Sequence, residues 1–234
     1  MIFSRVSAIV FLMPVFATFG LPARVKLALS LCISVICAHY IELPVRERGF
    51  VELLPMLMVE GAIGLALGLS LRLFVFALQI AGTIIGLSTS LSQVLDATGP
   101  DPLPALGKIL IVSSAALAIA LGLHVKFVEF VLLSYELFPF AHAPDPSLLT
   151  PFGIQKVAQS FALAFSLAAP FVGLALLYNI AIGAINRAMP QLMVAFVGAP
   201  FITFCAILLL TLASPVLIEV WRDALLGFMS DPRR

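Results

Sequence analysis

Residues Ile185 to Pro200 read INRAMPQLMVAFVGAP. An Asn-Arg pair and a Pro-Gln pair stand here between two apolar runs, Phe161 to Ile182 upstream and Phe196 to Leu212 downstream. No strand alternation competes with a helical reading of the runs. A cation such as Arg187 suits the carbonyls at a helix C-terminus. Proline suits the first turn of the helix that follows, which places Pro190 at a start. Gln191 adds an amide able to bond a free backbone group. The stretch therefore reads as a helix end, a break and a helix start, and the chain around it as apolar helices joined by polar breaks.

Composition agrees. Of 234 residues, 62% are hydrophobic and 11% charged, against about 45–50% and about 25% in soluble domains. Mean hydropathy is +1.16, which places the chain among membrane proteins. A formal net charge of +1 argues against nucleic acid as a partner. Cys32, Cys37 and Cys205 have no metal-ligand spacing and read as small packing residues. The N-terminus does not read as a cleaved signal peptide, since Pro14 interrupts its first apolar run.

Outward from the opening stretch, the breaks define the segments. Val6 to Phe19 is short for a crossing of about 20 residues, and Pro14 would kink a helix there or set its first turn. Gly20-Leu21-Pro22 breaks the chain, Leu27 to Ile41 is a second apolar run, and Glu42 to Arg48 is a charged loop. Val51 to Leu95 is too long for one crossing and predicts two helices, a bent helix or a hairpin. Asp96 to Pro104 is a turn. Leu106 to Leu123 and Val125 to Phe138 are apolar, punctuated by Gly122-Leu123-His124, and Pro139 to Pro151 is a second loop. Val157 to Ile182 and Leu192 to Val220 complete the set. Lys and Arg are spread over most loops and give no firm orientation. Gly64 and Gly68, then Gly82 and Gly86, have the small-xxx-small spacing that lets helix backbones approach closely.

Chemistry is sparse. The histidines are His39, His124 and His142, and no HExxH, GxSxG or CxxC occurs. The hydroxyl-rich Ser88-Thr89-Ser90 has no histidine near it in sequence. An enzyme, a cofactor site and a metal site are therefore not expected. Glu60 and Arg72 lie inside an apolar region, where charges face a partner or a wet cavity. Twelve residues apart, they cannot pair on one helix face. Glu60 reads as a buried contact between helices or subunits, with a proton relay as the alternative.

The opening stretch resembles the signature region of the FliR family of flagellar export-gate proteins. Its G-x-x-x-R-x-x-P-Q and following apolar segment are matched by Gly183, Arg187, Pro190, Gln191, Val194, Phe196, Gly198 and Pro200, and depart at Met193, where the family often has Asn. Further similarities run in the family's order: Arg5-Val6-Ser7, Pro14-Val15-Phe16, Pro22 to Val25, Glu60-Gly61 with Gly64 and Gly68, Gln79 with Gly82 and Gly86, and Gly122-Leu123-His124. The related injectisome family, SctT, shares much of the pattern.

The resemblance implies an all-α, integral membrane-type bundle of long bent helices and hairpins, a single domain over 1–234 resembling a fusion of FliP-like and FliQ-like folds. It implies a non-enzymatic subunit of the flagellar type III export gate in the bacterial inner membrane, at the flagellar basal body. FliP-like and FliQ-like subunits, an FlhB-like subunit, unfolded export substrates and membrane lipid are the implied partners. Apolar segments in that family need not be bilayer crossings, because sister subunits cover many of them. Its pore plug corresponds to Leu91, Gln93, Val94, Leu95 and Asp96, a stretch without the phenylalanines the family often carries. Glu60, Arg187, Pro190 and Gln191 are then assembly or helix-junction residues. An injectisome subunit and a small-molecule transporter are the alternatives, the latter without the internal repeat such folds often show.

Overall fold

The computed structural model describes residues 1–13, 20–41, 50–89, 105–140, 146–189 and 194–232. Among these residues every regular element is a helix: α1 (Ile2–Leu12), α2 (Ala23–Tyr40), α3 (Phe50–Ser88), α4 (Ala105–Ala120), α5 (Leu123–Leu137), α6 (Pro146–Ala188) and α7 (Val194–Ser230). Four of them, α2, α3, α6 and α7, are long and apolar enough to cross a membrane. The all-α membrane bundle expected from the sequence is what the chain forms.

Local chemistry sets the helix ends. A residue before proline is driven out of the α region by the ring. Met13, before Pro14, accordingly has φ −57° and ψ 129°, and α1 stops at Leu12. Pro22, extended at ψ 143°, precedes the first residue of α2. Gly122 holds φ +78°, a left-handed conformation that costs glycine little. There the chain turns by 80° between Gly107–Ala120 and Leu123–Leu137, at the punctuation read from the sequence.

Two expectations change. The Val51 to Leu95 region contains neither two helices nor a hairpin over its described part: α3 runs unbroken for 39 residues. Pro55 lies close to its start, where a missing N–H disturbs few bonds. The Pro139 to Pro151 loop is shorter than expected, because α6 begins at Pro146, the first-turn position that proline favours. Pro200 and Pro215 likewise sit within α7 without ending it.

The chain divides into two compact units. The first, 1–75, 115–159 and 223–234, has a core of Val6, Ile9 and Val10 from α1, Ile63, Leu67 and Leu71 from α3, and Phe127 and Phe130 from α5. Phe228 of α7 joins it, 5.7 Å from Phe130 and 5.5 Å from Phe74 between ring centres. Lys156 buries its stem there too, with its ammonium 5.0 Å from the Phe228 ring and donating to Gln159 Oε1 at 3.1 Å. The second unit, 76–114 and 160–222, takes parts of α3, α4, α6 and α7. Its core includes Leu78, Ile85, Leu110, Leu167, Phe171 and Ile202.

Candidate functional site

α1 lies along α3 in parallel. Ser4 Oγ donates to the Leu57 carbonyl at 3.0 Å, Ala8 lies against Gly64, and Leu12 lies against Gly68. A Cβ added to Gly64 would come within 2.5 Å of the Arg5 carbonyl oxygen and 2.8 Å of Ala8 Cβ; one added to Gly68 would meet Leu12 Cβ at 2.9 Å. Gly64 and Gly68 therefore lie in the seam between α1 and α3. Bare backbone on one helix admits the other.

That approach brings Arg5 to Glu60, both wholly buried. Arg5 Nε donates to Glu60 Oε2 at 2.7 Å, and Nη2 donates to Oε1 at 3.1 Å, a side-on, two-point pairing. Nη2 also donates to the Phe138 carbonyl at 3.0 Å, and Nη1 to the Ser134 carbonyl at 2.9 Å. The guanidinium lies 3.8 Å from the centre of the Tyr135 ring. Arg5 thus ties α1 and α3 to the C-terminus of α5, where the exposed carbonyl ends favour a cation. Arginine is the side chain whose planar, five-donor head can hold a carboxylate and two carbonyls together.

Glu60 makes a buried contact between helices, and its partner Arg5 lies within the chain. Arg72 is exposed instead. The missed residue is Arg5, which on sequence grounds is only the charge ahead of the first apolar run. One signal was available: a second charge, in another helix, of the sign that Glu60 needs.

The second unit carries the other positions. Gly107 faces Gly82, with a Cβ on Gly107 3.9 Å from the Gly82 Cα, and Gly86 is buried. Arg187 stands in the last turn of α6, as read, and is exposed in this chain. Pro190 and Gln191 lie outside the described residues, as do Leu91, Gln93, Val94, Leu95 and Asp96. Gly198 of α7 faces Tyr178 and Ile182 of α6: an added Cβ would overlap the Tyr178 hydroxyl and lie 3.0 Å from Ile182 Cδ1. Ile182 of α6 therefore lies opposite Gly198 of α7. Gly198→Ala is expected to cost about 1–3 kcal/mol by overpacking and to lower the melting temperature of the purified protein. Tyr178→Phe, which removes the clashing oxygen, should restore part of the loss. An unchanged melting temperature would mean that the two helices separate freely.

Among the described residues no group of three or more His, Cys, Asp or Glu side chains could hold a metal. Cys37 is buried, Cys205 half-buried and Cys32 exposed, all as free thiols. Among the described residues the buried polar contacts named above hold helices together.

Comparison with known proteins agrees over almost the whole length. Residues 1–227 match the family model of bacterial export proteins, family 1. The chain is 33% identical over 230 residues to the flagellar biosynthetic protein FliR of Caulobacter vibrioides, covering 95% of this chain and 90% of that one. It is 28% identical over 221 residues to that of Pectobacterium carotovorum, covering 92% and 83%. With the FliR of Bacillus subtilis identity is 25% over 233 residues, covering 95% and 88%. With the ordered glycine, arginine and proline positions and the apolar helices that carry them, these matches establish that the chain belongs to the FliR family of bacterial export proteins.

Proposed function

We propose that this chain is a non-enzymatic subunit of the flagellar type III export gate in the bacterial inner membrane. It assembles there with FliP-like and FliQ-like subunits and beside an FlhB-like subunit, and unfolded export substrates pass through the assembly. The observation that carries this reading is the length of exposed apolar surface. On α6, exposed side chains run from Ile154 through Phe161, Phe165, Leu176 and Leu177 to Ile185. At 1.5 Å per residue these side chains span about 46 Å of helix; fitting that within about 30 Å of hydrocarbon needs a tilt of about 50°, outside the usual 0–40°. Part of it therefore projects beyond lipid, where water would meet apolar side chains unless protein covers them. Sister subunits supply that cover. Arg187, exposed at the end of the same helix, is then a contact to a neighbour.

Purification of the tagged chain from cells that make the whole apparatus should recover FliP-like and FliQ-like proteins with it. Recovery of a stable lone chain would overturn the assembly. The connection between α3 and α4 contains Leu91 to Asp96, which we assign as the plug, since an apolar constriction can close a pore by excluding water. Replacing residues 91–95 by Gly-Ser should leave the assembly intact and make the membrane leak ions. Unchanged ion permeability of an assembled complex would refute the assignment. The relatives named above are flagellar proteins, which favours flagellar over injectisome use.

A further inference from the structure

α2 differs from the other three candidate spans in length and in the way its faces are divided. Its 18 residues rise about 27 Å, close to the roughly 30 Å of bilayer hydrocarbon, whereas α3, α6 and α7 have 39, 43 and 37 residues. Its buried positions are Ser30, Ser34 and Cys37, on the side that packs against α1 and α5. Ser30 Oγ donates to the Lys26 carbonyl at 2.7 Å and Ser34 Oγ to the Ser30 carbonyl at 2.5 Å, so both hydroxyls are bonded within the helix. Small polar side chains facing protein are what helix contacts in a bilayer use. Val35 and Ile36 point away from these positions, and Leu27 and Leu31 are exposed beside them; Leu31 is 59% exposed and Val35 65%. This helix is apolar outward and polar inward, the reverse of a helix in water.

Its ends are marked as well. Arg24 is exposed at the first turn, and Lys26 lies 5.8 Å from the Phe11 ring, its long stem able to reach a headgroup layer. At the other end His39 and Tyr40 pack edge to face at 5.5 Å, and both are exposed. Aromatic rings with a polar edge collect at membrane interfaces. A lipid-matched length, bounded by cations at one end and an aromatic pair at the other, fits a bilayer. A protein groove requires neither.

We infer that α2 is a lipid-facing span of this chain: its Leu31 and Val35 side chains contact acyl chains, with Arg24 and Lys26 in one headgroup layer and Tyr40 in the other. The inference is independent of the gate assignment, because it concerns the medium around one helix and not the identity of any partner. The tagged chain, with whatever proteins accompany it, is placed in nanodiscs of phosphatidylethanolamine and phosphatidylglycerol. Single cysteines at positions 24, 31, 34, 35 and 40 carry spin labels, in a background with Cys32, Cys37 and Cys205 changed to alanine. That background alone supplies the blank for thiols on accompanying proteins. Collision with oxygen at 31 and 35 is expected to exceed that at inward-facing 34 severalfold, while collision with a water-soluble nickel chelate stays low at both and rises at 24 and 40. Low collision with both reagents at 31 and 35 would mean that a protein covers the helix; high collision with the chelate would mean water. Either result overturns the proposal. If the cysteine-free background is unstable, a photo-crosslinking benzophenone side chain at Leu31 of the otherwise unaltered chain serves in cells. No protein adduct is expected from it, and a strong adduct would refute lipid contact.

Discussion

Arg5→Ala is expected to produce the largest loss of stability of any single substitution in this chain, about 3–5 kcal/mol. That is the cost of removing one member of a buried ion pair and leaving the other charged and unpaired. Glu60 would be that stranded charge, wholly buried beside the α1–α3 seam. Two carbonyls at the end of α5, Ser134 and Phe138, lose a donor in the same step. Thermal unfolding of the detergent-purified protein should show a fall of about 10 °C, using about 2–4 °C per kcal/mol for a chain of this size. The amount of chain accumulating in membranes should fall with it. Arg5→Lys should recover little, because one ammonium cannot hold a carboxylate at two points and reach two carbonyls.

The companion variants separate charge from geometry. Glu60→Gln leaves the guanidinium charged in an apolar core and should cost nearly as much as Arg5→Ala. The double variant Arg5→Met with Glu60→Leu removes both charges, and buried pairs replaced by apolar side chains often lose nothing. It should be more stable than either single variant, yet short of the natural protein, since the Ser134 and Phe138 carbonyls lose the bonds that Arg5 donates. Equal losses in all three proteins would show that the packing of α1, and not the charge pair, sets stability here.

The helices were legible because apolar runs and their punctuation are local. The breaks at Pro22 and Gly122 appear where the sequence places them, whereas Pro14, read as a kink or a first turn, ends α1 at Leu12 by acting on the residue before it. Lengths were less legible. Proline signals a break on average, but Pro55 and Pro146 sit near helix starts, where a missing N–H matters little. So α6 is longer than its apolar run, and α3 is one continuous helix where two helices, a bent helix or a hairpin were open. The ion pair was legible only as a charge of the needed sign in another helix. Arg5 and Glu60 are separated by 55 positions, and no spacing rule links residues on different helices. Glu60 was weighed against Arg72, the nearest cation in its own run, but those two lie on different sides of one helix. Hydropathy also treats lipid and protein alike. Only the side-chain placement separates α2, whose small polar residues face inward, from α6, whose exposed apolar side chains span more than a bilayer's thickness.

Gly64→Ala is expected to be the most damaging of the glycine substitutions, and it acts on the same seam. Alanine favours a helix interior over glycine by about 1 kcal/mol. At Gly183 or Gly173, where an added Cβ meets nothing within 4 Å, that preference should prevail, with no loss of stability from the change. At Gly64 the new methyl meets the backbone oxygen of Arg5 at 2.5 Å. Backbone cannot rotate aside, so α1 must move away from α3, at an overpacking cost of about 1–3 kcal/mol. The movement also stretches the 2.7 Å bond from Arg5 to Glu60. Gly68→Ala should cost less, since its nearest neighbour is the Leu12 side chain, and Gly61→Ala less again, since it meets only the Ser4 hydroxyl at 3.2 Å. Because seam and clasp hold one another, Gly64→Ala should cost less in the Arg5→Ala background, where α1 is already free to shift. A coupling of about 0.5–3 kcal/mol is the size seen between residues in contact. Strict additivity in the melting temperatures of the four proteins would separate the glycine seam from the clasp and leave Gly64 as packing alone.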